Sequence, residues 1–384
     1  MNENCMKRNS FLVAHVSSSL TSSGAGVTEV VYQLSRHQNL GSSLHVVVVG
    51  LVDDCWANES SQWSDIETIP FSTIGPKQFG YAKNLTRTLV ELNPDLVHLH
   101  GAWMYPAKAV LDWHRVTKRP YIISVHGMLA PVALSYGSIK KRIVSYLYQD
   151  DVFLNASMMH STSHQESVDI MTYGLDIPVV QIPNGVVVPK FVRNVEPELK
   201  KVITLGRVHK KKGLKNLLVA WSFLESSFPD WELEIIGPDD GGELQILKNL
   251  AMQMKLRRVV FSGAVFGDAK WYKYHSASIF VLPTLSDNFA ITVAESLACA
   301  VPVISSKGAP WEGLNEFKCG KWVEVGEYPL RKGLEEMMQL SSTERLEMGF
   351  RGRRWMENSF SWSKIATHFE IVYRDTIIKS TQDV

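Results

Sequence analysis

Val281-Leu-Pro-Thr-Leu-Ser-Asp-Asn-Phe-Ala-Ile-Thr-Val-Ala-Glu295-Ser-Leu-Ala-Cys-Ala-Val-Pro-Val-Ile304 reads as a buried strand, a polar loop, a helix and a second buried strand. Apolar runs without alternation mark strands covered on both faces, as in a parallel sheet. The signature extends outward. Upstream, strands are predicted over 202–205, 233–236, 259–262 and 279–282, with helices over 214–224 and 243–254. The helix of the quoted stretch covers 291–300 and its last strand 302–305. A separate alternation fills the first half, with strands over 11–16, 44–50, 95–99, 121–125, 158–161 and 179–182. Helices are predicted there over 28–37, 82–92, 107–116, 138–154 and 164–173. Between the two series, 183–200 contains Pro183, Gly185, Pro189 and Pro197 and no periodicity, so it reads as a linker. Ser341-Ser-Thr-Glu344 has the form of a capping box, and an amphipathic helix follows over 362–377.

The expected architecture is therefore α/β, with two doubly wound Rossmann-like domains, 1–183 and 201–361, a linker 184–200 and a terminal segment 362–384. Such sheets take ligands at the carboxyl ends of their strands. If those ends face each other, the cleft between domains suits a two-part reaction, and the chemistry belongs in loops that follow strands.

Composition narrows the class. The 384 residues carry 40 Lys and Arg against 39 Asp and Glu, a net charge of +1, which excludes a global field for nucleic acid or another polyanion. No run approaches the ~20 apolar residues of a membrane span, and the apolar stretch 11–16 is too short for a secretory core. Cys5, Cys55, Cys299 and Cys319 lie far apart, without metal-ligand spacing, so neither a disulfide framework nor a zinc site is expected and a reducing cytoplasm is the default.

Four loops carry chemistry. In the quoted stretch, Glu295 is the one charge on an apolar helix and Asp287 lies eight positions earlier. Two carboxylates at a crevice mouth can grip vicinal hydroxyls. The alternative is structural, with Thr292 to Glu295 a capping box and Asp287 a loop solubiliser. Gly206-Arg207-Val-His209-Lys-Lys-Lys212-Gly213 hands a strand over to a helix, and Arg207 with Lys212 there suits a diphosphate, against the plainer reading of a solvated charge run. Gly24-Ala-Gly26 follows the first strand and partly matches the dinucleotide fingerprint, with Asp53 placed for a ribose contact. Glu29 stands where the third glycine of that fingerprint belongs. A plain flexible turn fits the loop as well. Finally His98, His100 and His126 end two strands, with no third metal ligand evident beside the His98/His100 pair.

Together these residues resemble the GT-B fold glycosyltransferases of family 4, which are retaining and use nucleotide sugars. The resemblance covers nearly the whole chain. It rests on Asp287-x7-Glu295, on Gly206-Arg207…Lys212-Gly213, on His126-Gly-Met, on Ile182-Pro-Asn-Gly-Val186, on Gly263-Ala-Val-Phe-Gly267 and on Gly308-Ala-Pro-Trp311. It implies that Glu295 holds the donor ribose and that Asp287, with backbone groups of Asn288, Phe289, Ala290 and Ile291, contacts the transferred hexose. Arg207 and Lys212 would bind and stabilise the leaving diphosphate. Gly24 and Gly26 would approach that diphosphate, His126 the C6 hydroxyl or reacting centre, and Val265 the base. The first domain would bind the acceptor, and the helix from Trp362 would cross back to that domain. Three positions depart from the family pattern: Asp287 in place of Glu, Ala290 in place of Gly, and Gly-Ala-Gly in place of paired glycines.

The resemblance further implies hexosyl transfer in polysaccharide, lipopolysaccharide or glycolipid biosynthesis, in the cytoplasm or peripheral to the inner membrane face. No Asp-x-Asp signature is present, so no metal cofactor is expected. Lys140, Lys141 and Arg142 precede Ile143, Tyr146 and Leu147. That pattern fits a solvated face over a core stripe, or a contact with an anionic membrane presenting a lipid-linked acceptor. Two other classes compete: a nicotinamide-dependent oxidoreductase using the Gly24 loop, and a non-catalytic sugar-nucleotide-binding protein.

Overall fold

Runs of Val, Ile and Leu with no polar interruption form the central strands of two parallel sheets. The computed structural model describes residues 10–41, 44–190, 199–265 and 267–382. Cys5, the middle of the predicted linker (191–198) and Phe266 lie outside the described residues. The chain divides into two units, one formed by Met1–Gly185 with Trp362–Val384 and the other by Val186–Ser361.

The first unit contains strands β1 (Phe11–Ser17), β2 (Leu44–Val52), β3 (Glu67–Ser72), β4 (Leu96–His100), β5 (Tyr121–Ser124), β6 (Met158–Ser161) and β7 (Val179–Gln181). Their order is β3-β2-β1-β4-β5-β6-β7, all neighbours parallel. The order reverses between β1 and β4, which is where sheets of this kind open a ligand crevice. β3 is an edge strand that the apolar pattern does not reveal, since it carries Glu67 and Pro70 and every one of its residues is exposed or half-buried. Proline is tolerated there because an edge strand needs fewer donors. The helical run predicted over 138–154 is interrupted: Ser138–Val144 and Asp150–Leu154 are α-helical, with a π-helical turn over Ser145–Gln149 between them.

Helix Trp362–Gln382 completes this unit. Ile365, Phe369, Tyr373 and Ile377 recur every fourth residue and are buried with Val13, Leu34, Val46 and Ile122. Burying each such side chain contributes about 1.5–3 kcal/mol. At its start, Trp362 packs on Gly185, where an added Cβ would lie 2.3 Å from the indole, so only glycine admits the ring.

The second unit contains β8 (Lys200–Leu205), β9 (Trp231–Ile236), β10 (Val259–Phe261), β11 (Ile279–Leu282), β12 (Val303–Ser306) and β13 (Gly320–Val323), in the order β10-β9-β8-β11-β12-β13 and again parallel throughout. One face is covered by helix Leu214–Ser222 through Leu217, Leu218 and Trp221. The other is covered by helix Ile291–Ala298 through Val293, Ala294 and Leu297. Ser341 and Glu344 form the expected capping box at helix Ser342–Ser359.

Candidate functional site

The strand order of the second unit reverses between β8 and β11, and the loops after those two strands carry the predicted residues. They are in backbone contact. Gly213 has φ of +66°, and an added Cβ would lie 2.1 Å from the Pro283 carbonyl oxygen. The Leu285 amide donates to the Lys211 carbonyl at 2.9 Å. This approach brings the Lys212 ammonium onto the Asp287 carboxylate, seventy-five residues apart in sequence. Both side chains are about one-fifth exposed, at 23% and 19%. Arg207 and Lys212 line one pocket, walled by Leu214, Ile236 and Leu282. Arg207 is more open and pairs with Asp240 at 2.7 Å. An exposed pair of this kind is worth ~0–1 kcal/mol, so the guanidinium is readily released to a ligand.

Asp287 is held from behind by its own amide, which donates to the Gly308 carbonyl at 2.6 Å. Asn288 and Ile291 are half-buried, whereas Phe289 and Ala290 are buried. The Trp311 indole N–H donates to the Phe289 carbonyl at 2.6 Å, which fixes the turn into helix Ile291–Ala298. Ala290 caps that helix with φ of +59°, a left-handed conformation in which its methyl is strained. No side chain caps the helix, and its cap is Ala290 rather than Thr292. The capping-box reading of Thr292 to Glu295 is thereby corrected.

Glu295 is buried, 7% exposed. One of its oxygens accepts from the Lys270 ammonium at 2.6 Å and the other from the Tyr274 hydroxyl at 2.8 Å. Burial and the neighbouring carboxylate push the Tyr274 hydroxyl well above its ordinary pKa, so it stays a donor. Sequence reasoning missed Lys270 and Tyr274. Their one signal is a spacing of four on helix Asp268–His275, which places them on one face. Val265 precedes that helix and packs against the apolar cluster containing Phe289 and Ala290. The predicted residues of the second unit therefore share one sheet edge, with Lys212 and Asp287 in direct contact.

In the first unit, Gly24 and Gly26 lie where the loop after β1 enters helix Ala25–Gly41. A Cβ on Gly24 would lie 2.2 Å from the Thr28 hydroxyl, whereas one on Gly26 would meet open space. Asp53, considered as a ribose ligand, is engaged with this loop instead. Its hydrogen bond from Ser23 lowers its pKa, and it also accepts from the Cys55 amide at 3.0 Å.

His126 is half-buried just beyond β5, with φ of +49°. Its Nε2 meets His100 Nδ1 at 3.1 Å, and His100 Nε2 meets His15 Nδ1 at 2.8 Å. His15 was read only as part of an apolar strand, yet the parallel register sets it opposite His98. His15, His98 and His100 come close enough to share an ion. All six of their ring nitrogens, however, already have hydrogen-bond partners. Burial pushes His15 and His126 down to about 4 and His98 and His100 well below their ordinary value, so the rings are neutral near pH 7.

The basic segment departs from the core-stripe expectation. Ile139, Ile143, Tyr146 and Leu147 are 75%, 55%, 90% and 64% exposed. Lys140 and Arg142 are exposed beside them, and Lys141 is half-buried. No helix among the described residues is long and apolar enough to cross a membrane.

Residues 25–185 match the family glycosyl transferase 4-like domain, and residues 190–355 match the family glycosyl transferases group 1. An uncharacterized glycosyltransferase of Haemophilus influenzae is 32% identical over 113 residues, 29% of this chain and 31% of that protein. The alpha-monoglucosyldiacylglycerol synthase of Streptococcus pneumoniae is 21% identical over 77% of this chain and 71% of its own length. The fold is similar to that of a sucrose-phosphate synthase from Thermosynechococcus elongatus, with TM-score 0.74, 19% identity, and 96% and 100% of the two chains covered. It is also similar to Anabaena HepE in complex with UDP and glucose, with TM-score 0.74, 14% identity, and 95% and 100% covered.

Proposed function

Because this chain belongs to the GT-B glycosyltransferases of the group 1 and 4-like families, we propose that it moves a hexose from a nucleoside diphosphate sugar to a hydroxyl acceptor with retained anomeric configuration. The observation that carries this reading is the Lys212–Asp287 pair at the switch point of the second sheet, with Arg207 on the same pocket wall. In the reaction the bond from the anomeric carbon to the diphosphate oxygen breaks and a bond to the acceptor oxygen forms on the same face. The acceptor's proton passes to the departing diphosphate. Negative charge grows on that oxygen, where Arg207 and Lys212 would stabilise it. One such group contributes ~10²–10³ in rate.

In this reading sugar hydroxyls give Asp287 new partners as Lys212 turns to phosphate. Backbone groups of Asn288, Phe289, Ala290 and Ile291 complete the hexose contacts. Glu295 keeps lone pairs for ribose hydroxyls beyond those given to Lys270 and Tyr274, and Val265 stands for the base. On the first unit, Gly24 and Gly26 serve the diphosphate and His126 a sugar hydroxyl. The UDP held by the similar Anabaena HepE structure supports a nucleotide-sugar donor. The test is transfer from UDP-, GDP- and ADP-glucose in EDTA. Turnover should persist, since the basic pair takes the place of a divalent cation. Loss of turnover restored by Mg²⁺ refutes the cation-free account, and nucleotide binding without transfer or hydrolysis supports a non-catalytic protein.

A second observation bears on the acceptor. The exposed Ile139, Ile143, Tyr146 and Leu147 beside Lys140, Lys141 and Arg142 suit an anionic bilayer surface, and hence a lipid-linked acceptor in glycolipid, lipopolysaccharide or polysaccharide synthesis at the cytoplasmic face. The name of the Streptococcus pneumoniae relative agrees with a glycolipid product. Flotation with anionic vesicles tests this, and the doubly substituted Ile143→Ser, Tyr146→Ser protein should remain unbound.

A further inference from the structure

The buried histidines of the first unit form two hydrogen-bonded runs, each with its direction set at one end by an oxygen that can only accept. His160 Nε2 lies 2.8 Å from the Ile182 carbonyl oxygen. A carbonyl only accepts, so His160 carries its proton on Nε2 and its Nδ1 is an acceptor. The Ser124 hydroxyl, 2.6 Å away, must donate to that Nδ1. Its oxygen then accepts from His98 Nε2 at 2.6 Å. His98 Nδ1 in turn accepts from the Tyr373 hydroxyl at 2.5 Å.

A second run starts at Gln38, on helix Ala25–Gly41. The Gln38 amide oxygen lies 2.8 Å from His15 Nε2 and accepts from it. His15 Nδ1 is left to accept from His100 Nε2, and His100 Nδ1 to accept from His126 Nε2. Each neutral ring donates at Nε2 and accepts at Nδ1, so no member can reverse alone. This second run ends at His126 Nδ1, which has no partner among the described residues. The parallel register makes this possible, because it pairs His15 with His98, His100 with Ser124, and Ser124 with His160 across four adjacent strands.

We infer that Gln38, His15 and His100 are positioning residues that hold His126 in its Nε2–H tautomer, so that Nδ1 meets substrate as an acceptor for a hydroxyl hydrogen and not as a donor to an oxyanion. The inference rests on the glycosyltransferase reading only for the identity of the hydroxyl. The polarity of the run is independent of it.

The test is long-range proton–nitrogen correlation NMR on the full chain with ¹⁵N-histidine, its rings assigned by single His→Asn substitutions. His15, His98, His100, His126 and His160 should all show the Nε2–H pattern at pH 7. A proton on Nδ1 alone in His15, His100 or His126, or an imidazolium at His126, overturns the inference. Gln38→Leu keeps most of the side-chain bulk and removes the amide oxygen that fixes His15. His126 should then show both tautomers with unchanged far-ultraviolet circular dichroism, and a single retained tautomer refutes the long-range positioning.

Ligand arms place the hydroxyl. Movement of the His126 Nδ1 resonance with UDP-glucose but not with UDP assigns it to the transferred sugar. Movement with methyl glucoside alone assigns it to the acceptor. Movement with UDP or pyrophosphate alone, or no movement in a protein that binds UDP-glucose by calorimetry, overturns the hydroxyl assignment. Absence of calorimetric binding would instead count against the donor reading.

Discussion

Replacing Lys212 with Met keeps most of the aliphatic stem and removes the ammonium that meets Asp287. Two costs follow, and the structure separates their sizes. The side chains of the pair are 23% and 19% exposed, so its loss falls between a surface pair, ~0–1 kcal/mol, and a buried one, ~3–5 kcal/mol. Solvent screening favours the lower part, about 1–2 kcal/mol of stability. That moves the melting temperature by about 2–8 °C at ~2–4 °C per kcal/mol. The catalytic cost is larger, because charge on the departing diphosphate loses a fixed partner. A loss of ~10²–10³ in kcat corresponds to ~2.7–4.1 kcal/mol. Steady-state transfer with the donor that wild type uses, alongside calorimetric unfolding, measures both. In the Asp287→Asn background the stability penalty of Lys212→Met should shrink to a few tenths of a kcal/mol, whereas the rate penalty should persist. A fall in kcat below tenfold, or one that vanishes in that background, refutes the assignment of Lys212 to the leaving group.

Three further outcomes are expected. Ala290→Val should destabilise by about 2 kcal/mol or more, since a branched side chain fits the left-handed φ of +59° worse than a methyl; Ala290→Gly should be within ~1 kcal/mol of wild type, because relief of strain offsets lost burial and added chain entropy, and thermal unfolding compares them. Glu295→Gln should raise KM for the donor by about tenfold with a smaller change in kcat, read from initial rates at varied donor. For pH, His15 and His126 fall to about 4 in the folded state from 6.5. The unfolded chain therefore binds more protons between those values, so stability is full above pH 6.5 and declines as pH drops toward 4, by a few kcal/mol in all; urea unfolding at pH 7 and pH 5 checks the sign.

Much of this was readable in advance for a physical reason. Strands such as β2 and β11 are covered on both faces, so their apolar runs are unbroken and stand out. β3 and β13 lie at sheet edges, where Glu67, Pro70 and Lys321 are tolerated and the pattern fades. The Asp287–Glu295 loop and helix were legible because their residues are local. The partners of the site residues were not: Lys270 and Tyr274 at Glu295, Asp240 at Arg207 and Tyr373 at His98 are brought in by topology, and Tyr373 stands 275 residues from the imidazole it touches. His15 was hidden by type, since one histidine in an apolar strand carries no mark until the register pairs it.

Helix Trp362–Gln382 seals the first sheet with a segment made only after the whole second unit. Vectorial synthesis thus delays closure: after Gly185 the 176 residues of Val186–Ser361 must be made before Trp362, about 9–35 s at ~5–20 residues per second. Throughout that interval the nascent chain shows Val13, Leu34, Val46 and Ile122 uncovered, a sticky target for chaperones. A premature stop shortly before Trp362 would spare every residue of the donor pocket and still yield a product destined for degradation.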